Sequence, residues 1–448
     1  MISVHAADWV LPVAAAPVRD GAVLIDGERI AAVGPRREIL AAAAGAPVEE
    51  HGRAAILPGF VNAHSHLEYT TYGGFGDGLP FAPWLSDHIR RKARLSPEQT
   101  HDGALLGALL SLRSGVTTVA DCSFAGATVA AVREVGLRAI VYLEAFGVGA
   151  AADAAGVALG VAERLDALTP EAGALTRLGI SPHAPYTVAP HVYRALMALA
   201  RGRDLPVATH VAEAAAEVEA LRAGTGPIAD ALPALERLGE HPVTRLARDG
   251  VLGPGTVAIH AVAIGPAEIE TLAASGAAVA HCPRSNAQLG CGLAPLRALR
   301  EAGVPVGLGS DSPSSAVDLD HFAELRAAVF AARAREADAG ALSAEEALRL
   351  AAAEAARAIG LDGQVGALVP GLRADLTVVS LGATTYWPVE DPAAAVVYGG
   401  SPEAVALTVT NGTVRYRKER DGQRIREALD RAGSGRAAMI DAREDETT

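Results

Sequence analysis

Between residues 56 and 362, short apolar runs alternate with stretches of Ala, Leu, Arg and Glu at helical spacing. The runs are ILPGFVNAH (56–64), VTTVAD (116–121), RAIVYLE (138–144), RLGISPH (177–183), PVATH (206–210), TVAIH (256–260), AAVAH (277–281) and PVGLGSD (305–311). Each is short enough for one strand, and most are followed by enough chain for a helix. Eight such alternations predict an α/β fold, a (β/α)8 or TIM barrel rather than an open sheet. The two ends of the chain share another texture. GAVLIDGERIAAVGP (21–35) places two apolar runs around Asp26-Gly27, and AVALTVTNGTVRYR (404–417) does so around Asn411-Gly412, both hairpin signals. With ADLTVVSL (374–381) they predict a small β-sandwich module assembled from both termini. The expected division is residues 1–55 plus 363–425 for that module, 56–362 for the barrel, and 426–448 for a helix and tail.

The residues that end the eight runs carry the chemistry: His64, Asp121, Glu144, His183, His210, His260, His281 and Asp311. In a barrel of this kind the carboxyl ends of the strands converge on one mouth, where active sites lie. A purely structural sheet would end more often on Ser, Thr or Gly, because unpaired ionisable groups are costly to bury. His64-Ser65-His66 adds a pair at i and i+2, on one face of a strand, so both imidazoles can reach one metal. Neutral nitrogens with a carboxylate suit Zn²⁺ or Fe²⁺ better than Mg²⁺ or Ca²⁺, which prefer oxygen cages. Glu213, three residues beyond His210, either turns back into the mouth as a general acid/base or is first-turn helix charge.

Composition narrows the class. The 448 residues include 39 Lys+Arg against 52 Asp+Glu, a formal charge of −13, with half of the residues hydrophobic and 4% aromatic. That apolar share excludes a wholly disordered chain, and the absence of a Lys/Arg block argues against a nucleic-acid partner. No apolar run is long enough to span a membrane, and the first eighteen residues hold Asp8 and lack a basic region, so neither a membrane anchor nor a secretory signal is expected. Cys122, Cys282 and Cys291 make no disulfide framework and read as small packed residues. The expectation is a cytoplasmic protein with a small-molecule substrate; the fold alone suggests a homodimer. The remaining histidines end no apolar run and read as surface or loop residues, His88 and His321 being the strongest exceptions.

ILPGFVNAHSHLE, SPHAPYTV, THVAEAAAEVEAL, HCPRSNAQLGCG and GLGSDSPSS, in that order, resemble the amidohydrolase superfamily, more closely its cyclic-amidine deaminases and chlorohydrolases. The resemblance covers nearly the whole chain. It implies one divalent ion, Zn²⁺ or Fe²⁺, held by His64, His66, His210 and Asp311. It also implies Glu213 as proton shuttle, His260 as the residue that orients water and steadies the tetrahedral intermediate, and Asp311 or His260 as helper of amine departure. His183 and Tyr186, from SPHAPYTV, would meet the substrate, with His281 at the mouth. Binuclear members use a carboxylated Lys at the end of the fourth strand. Here that strand ends in His183, and Lys92 and Lys418 are the only lysines, so a single metal is expected. HSHLEYTTYGGFGDGLPFAPWLSDHI, with Glu68, Tyr69, Phe81 and Trp84, and YLEAFG, with Glu144, look like the aminodeoxyfutalosine deaminases of menaquinone biosynthesis. Ser65 in place of the commoner Thr, and Tyr69-Thr70 in place of Leu-Ser, depart from that pattern. The implied activity is deamination of an aminopurine nucleoside, 6-amino-6-deoxyfutalosine first. The alternatives are another adenosine-type, guanine or pterin deaminase, an amide or C–Cl hydrolase of the same fold, and a non-catalytic protein on the same scaffold.

Overall fold

A computed structural model describes residues 2–43, 45–382 and 388–440. Eight parallel strands among them form the barrel: Phe60–Ser65, Val116–Ser123, Arg138–Ala145, Thr176–Pro182, Val207–Val211, Thr256–His260, Ala278–His281 and Val306–Leu308. All eight expected strands are present, in chain order around the ring. The ring shuts where Ser65 bridges Asp311 and the Asp311 N–H donates to the His64 carbonyl at 3.0 Å. Alternate strand residues fill the interior: Val61 and Ala63, Ala120 and Cys122, Ile140 and Tyr142, Val257 and Ile259, Ala280 and Cys282. Small side chains dominate because strands converging on one axis leave little room. At Gly307 a Cβ would already stand 2.8 Å from Ala63 Cβ.

Both chain ends build one mixed sheet. Five strands come from the first 58 residues and three from Leu376–Ser380, Val405–Thr410 and Thr413–Arg417. Ala54–Pro58 is the seam, parallel to Ile2–Val10 on one side and antiparallel to Leu376–Ser380 on the other. The run 56–64 is therefore two strands, one per sheet, broken at Gly59. A Cβ there would lie 2.3 Å from Thr117 Oγ1, so the chain passes from sheet to barrel only where no side chain intervenes. The two expected hairpin turns abut: a Cβ on Gly412 would fall 1.9 Å from the Gly27 carbonyl oxygen. The sheet thus curls over a shared apolar core, with Val23, Ile25 and Ile30 in one cluster with Leu407 and Val409.

Two contacts fix what surrounds the barrel. The Arg138 guanidinium on the third barrel strand donates through Nε (3.1 Å) and Nη2 (3.0 Å) to Asp375, which also accepts from the Asn411 N–H at 2.7 Å. The helix Lys418–Ile440 lies against Pro97–Arg113. From it Arg436 donates to the Thr71 and Gly73 carbonyls, both at 2.8 Å, and so braces the loop after the first barrel strand. The expected tail beyond Ile440 lies outside the described residues. No described helix is long and apolar enough to cross a membrane.

Breaking a buried ion pair by removing one partner leaves an uncompensated charge, at a cost of about 3–5 kcal/mol. Asp375→Ala is expected to lower unfolding free energy by that order in urea titration. Asp375→Asn, which keeps an acceptor for Arg138 and Asn411, should lose less.

Candidate active site

Four side chains meet at the carboxyl end of the barrel. His66 Nδ1 lies 2.9 Å from the Cys122 carbonyl and His210 Nδ1 2.9 Å from the His183 carbonyl. A carbonyl only accepts, so each Nδ1 carries the proton and each Nε2 is a bare lone pair. Those two Nε2 atoms stand 3.3 Å apart. His64 Nε2 is buried without a hydrogen-bond partner, 3.5 Å from Asp311 Oδ1, and the same oxygen is 3.8 Å from His66 Nε2. Lone pairs at that separation repel unless a cation lies between them. Three imidazole nitrogens and a carboxylate are the donor set of a catalytic Zn²⁺-type centre. The residues present fit one divalent ion.

Electrostatics agree. Burial, then the neighbouring His64, pulls His210 down to about 4, and the same causes hold His66 well below its usual value, so both are neutral ligands. Burial alone would raise Asp311, but His64 against it and the electrostatic attraction of the His64, His260 and His66 imidazoles hold it well below the carboxylate range. Its other oxygen accepts from Ser285 Oγ (2.6 Å) and Ser315 Oγ (3.0 Å).

Beside the cage, Glu213 Oε1 stands 3.5 Å from His260 Nε2, and Asp311 Oδ2 3.9 Å from it. The amide of Asn286 donates to His260 Nδ1 at 3.0 Å, which leaves the Nε2 proton facing the carboxylates. Burial, followed by the charges of Asp311 and Glu217, raises Glu213 well above a normal carboxyl. Glu217 holds the turn: its carboxylate accepts from the Ala212 N–H (2.9 Å) and the Glu213 N–H (2.8 Å). Ala212 sits at φ 52°, and that left-handed residue swings Glu213 back over the barrel mouth.

A cavity of about 390 Å³ opens on this cluster. Of the expected residues, His66, Trp84, Glu144, His183, Tyr186, His210, Glu213, His260 and Asp311 line it. Glu144 Oε1 is 3.9 Å from His66 Nδ1 and 4.0 Å from His183 Nε2. Trp84 presents its ring while its indole N–H donates to the Ser314 carbonyl at 3.1 Å. Three expected residues are placed elsewhere. Asp121 spends its carboxylate on Ser65 Oγ, the Leu67 N–H and Thr128 Oγ1. His281 is buried beside the cavity, not in its lining. Both follow Ala120 and Ala280, which point inward, so the two-residue period of a strand turns them outward. Glu68 accepts from Ser123 Oγ (2.5 Å), the Ala125 N–H (2.9 Å) and the Ala127 N–H (2.8 Å), which pins the loop after the second strand. Phe81 packs with Tyr186 and Leu221. His88 is a cavity residue, not a surface one, and His321 is buried beneath Phe60. Asn286, Ser285, Ser315 and Glu217 were not singled out from sequence. All four lie inside the motifs HCPRSN, LGSDSPSS and THVAEAAAEVEAL, whose His, Asp and first Glu drew the attention.

The sequence profile of the amidohydrolase family matches residues 55–415, and that of the bacterial imidazolonepropionase-like composite domain matches residues 21–46. The chain belongs to the amidohydrolase family. It is 36% identical over 406 residues to a 5-methylthioadenosine/S-adenosylhomocysteine deaminase of Pelotomaculum thermopropionicum, with 89% of each chain covered. An adenosine deaminase of Xanthomonas campestris with bound zinc superposes with a TM-score of 0.87 at 30% identity, over 98% of both chains. An aminofutalosine deaminase of Helicobacter pylori shares the fold, with a TM-score of 0.80 at 20% identity over 92% of this chain and 99% of that one. This amidohydrolase is a hydrolytic deaminase acting on a C–N bond.

His66→Ala and Asp311→Ala each remove a donor from the cage. Metal content by atomic emission is expected to fall from about one equivalent per chain in the parent to a small fraction in either variant. Glu68→Gln, whose side chain holds the loop after the second strand and is no member of the cage, should keep its metal.

Proposed function

We propose that this amidohydrolase removes the 6-amino group of an adenosine-type nucleoside as ammonia, with a single Zn²⁺ as its ion. The observation that carries the reading is the placement of Glu213, His260 and Asp311 on one side of the cage, with the first two 3.5 Å apart. When bound, the ion supplies Lewis acidity sufficient to bring the pKa of a water to about 7. The chain's own residues supply the rest. Water oxygen adds to purine C6 while Glu213 takes its proton and delivers it to N1. The Nε2–H of His260 points at the oxygen added to C6, where negative charge develops. Asp311, kept ionised, takes the second proton and passes it to the amine, the C6–N bond breaks, and a carbonyl remains on the ring. The raised Glu213 holds a proton between the two transfers; the depressed Asp311 does not keep one.

A single ion is supported by the fourth strand. Just beyond its last residue, Pro182, stands His183, whose carbonyl is spent on His210 and whose Nδ1 is 2.7 Å from Thr187 Oγ1. The adenosine-type class is supported by the relatives, a 5-methylthioadenosine/S-adenosylhomocysteine deaminase and an adenosine deaminase. Within that class we favour aminodeoxyfutalosine. Of the two acidic residues that suggested it, Glu144 reaches the cavity and Glu68 does not.

Ammonia release by the zinc-loaded protein is expected from 6-aminopurine nucleosides and not from guanine, pterins or a chlorotriazine. A preference for aminodeoxyfutalosine over 5′-methylthioadenosine and adenosine of about 10²-fold in kcat/KM, roughly 2.7 kcal/mol of transition-state binding, would establish the finer reading. Silence across every amine with metal bound would transfer the search to amide and halide substrates. Glu213→Gln is expected to lower kcat by about 10²–10⁴ while metal content stays near one per chain; loss of the metal in that variant would make Glu213 structural.

A further inference from the structure

Two consecutive residues near the end of the second barrel strand hold four consecutive residues at the end of the first. Asp121 Oδ1 accepts from Ser65 Oγ at 2.8 Å and from the Leu67 N–H at 2.7 Å. Cys122 takes the positions between, which are the ligands: its carbonyl lies 2.9 Å from His66 Nδ1 and its Sγ 3.8 Å from His64 Nδ1. The sulfur contact sets His64 apart. With Nε2 facing the cage, Nδ1 of each histidine must carry the proton. His66 and His210 give that proton to backbone carbonyls. For His64, no carbonyl or carboxylate of the described residues is within hydrogen-bond distance of Nδ1, and the thiol is its partner. The S–H of Cys122 donates to Ser181 Oγ at 3.7 Å, so a sulfur lone pair is left for the imidazole.

Packing fixes where the His64 ring lies but not which way round it stands. On its other side Gly309 lets the eighth strand press close: a Cβ there would be 2.9 Å from His64 Cβ and 3.0 Å from Cys282 Sγ. A half-turn of the imidazole about its Cβ–Cγ bond fills nearly the same space and exchanges each nitrogen for a carbon, so a polar partner must tell the two orientations apart. Ligating histidines elsewhere give their second N–H to a carboxylate, a carbonyl or water, and a thioether-like acceptor is weaker than any of these. We infer that Cys122 is the positioning residue of the His64-Ser65-His66 pair: its sulfur selects the orientation and tautomer of His64, as its carbonyl does for His66, so that both bare nitrogens reach one ion. The cysteine is thus a polar partner of the cage as well as barrel filling. The inference concerns the cage and is independent of which substrate is deaminated.

The test is a matched pair of variants. Cys122→Ala and Cys122→Ser remove the same sulfur and differ by one hydroxyl, so the packing loss is common to both and the acceptor is not. In chelator competition for Zn²⁺, Cys122→Ala is expected to bind about 10–100-fold more weakly than the parent, the usual cost of losing the partner of a ligating histidine. Cys122→Ser should recover most of that loss. With Co²⁺ in place of Zn²⁺, the visible bands of the parent and Cys122→Ser should coincide, and those of Cys122→Ala should weaken as one imidazole leaves the ion. Thermal midpoints of the two metal-free variants should agree. Equal Zn²⁺ affinity in the two variants, or parent affinity in Cys122→Ala, overturns the assignment. A parent that takes up neither Zn²⁺ nor Co²⁺ sinks the cage itself, and the ¹⁵N spectrum of the histidine-labelled protein then decides the role of Cys122. An Nδ1–H tautomer of His64 kept in Cys122→Ser and lost in Cys122→Ala supports it; a tautomer unchanged in both overturns it.

Discussion

The bare Nε2 atoms of His66 and His210 face one another at 3.3 Å because the backbone has already claimed their other nitrogens. Each Nδ1 proton goes to a carbonyl at or just beyond the end of another barrel strand, Cys122 for His66 and His183 for His210. The tautomers of two ligands are therefore set by the relative heights of neighbouring strands, not by any side chain at the site. Asp311 completes the same logic. The backbone bridge that joins it to Ser65 closes the barrel, and the Asp311 N–H that reaches the His64 carbonyl brings the fourth donor beside the first. Closing the ring and assembling the cage are one structural event. A slip of register between first and last strands would open the barrel and scatter the donors together.

Holding groups at the rim takes backbone out of extended geometry. Ala212, His260, Ala261 and Asp311 all have positive φ, at 52°, 75°, 48° and 56°. Non-glycine residues pay on the order of 1–2 kcal/mol each for that region. Their clustering at the ends of the fifth, sixth and eighth strands marks where strain is stored so that side chains which would continue the strand turn over the axis. Glu217 stabilises one of these turns from beneath. It is itself buried, with its carboxyl raised to about 7 by burial despite the backbone N–H groups it accepts. The register slip between Asn62 and Ser65 does the corresponding service for His64 and His66 without left-handed residues.

What was readable from sequence follows the range of the interactions that decide it. The eight strands and two hairpin turns depend on local apolar period and on Asp-Gly and Asn-Gly chemistry, and both are written within a few residues. The placing of Asp121 and His281 is less local: Ala63 and Ile259 mark the same inward face just before His64 and His260, which reach the mouth only because the backbone leaves extended geometry there. Lys92 and His88 are different. They sit on a helix whose amphipathic face gives no hint that it borders the mouth; only the bracing of the preceding loop by Arg436, more than 300 positions away, places that segment. Glu68 misled for a third reason. A carboxylate two residues beyond a metal ligand has the same sequence signature whether it faces substrate or caps a loop, and three donors on the far side settle it.

Proton traffic is decided by the contrast between two buried carboxyls a few ångströms from the same imidazole. Glu213 has like charges as its neighbours, Asp311 and Glu217, so burial prevails and its carboxyl is raised enough to hold a proton between its two transfers. Asp311 has His64 against it and the imidazoles of His260 and His66 nearby, with two serine hydroxyls donating to its outer oxygen, so the ionised form prevails under the same burial. Environments that separate two titratable groups in this way assign acid and base roles without any difference in the side chains' intrinsic strength. The asymmetry would vanish if the two exchanged surroundings, because nothing intrinsic to Glu or Asp produces it. A divalent ion in the cage would deepen the contrast, since it would sit against Asp311 and leave Glu213 as the nearest carboxyl with room for a proton.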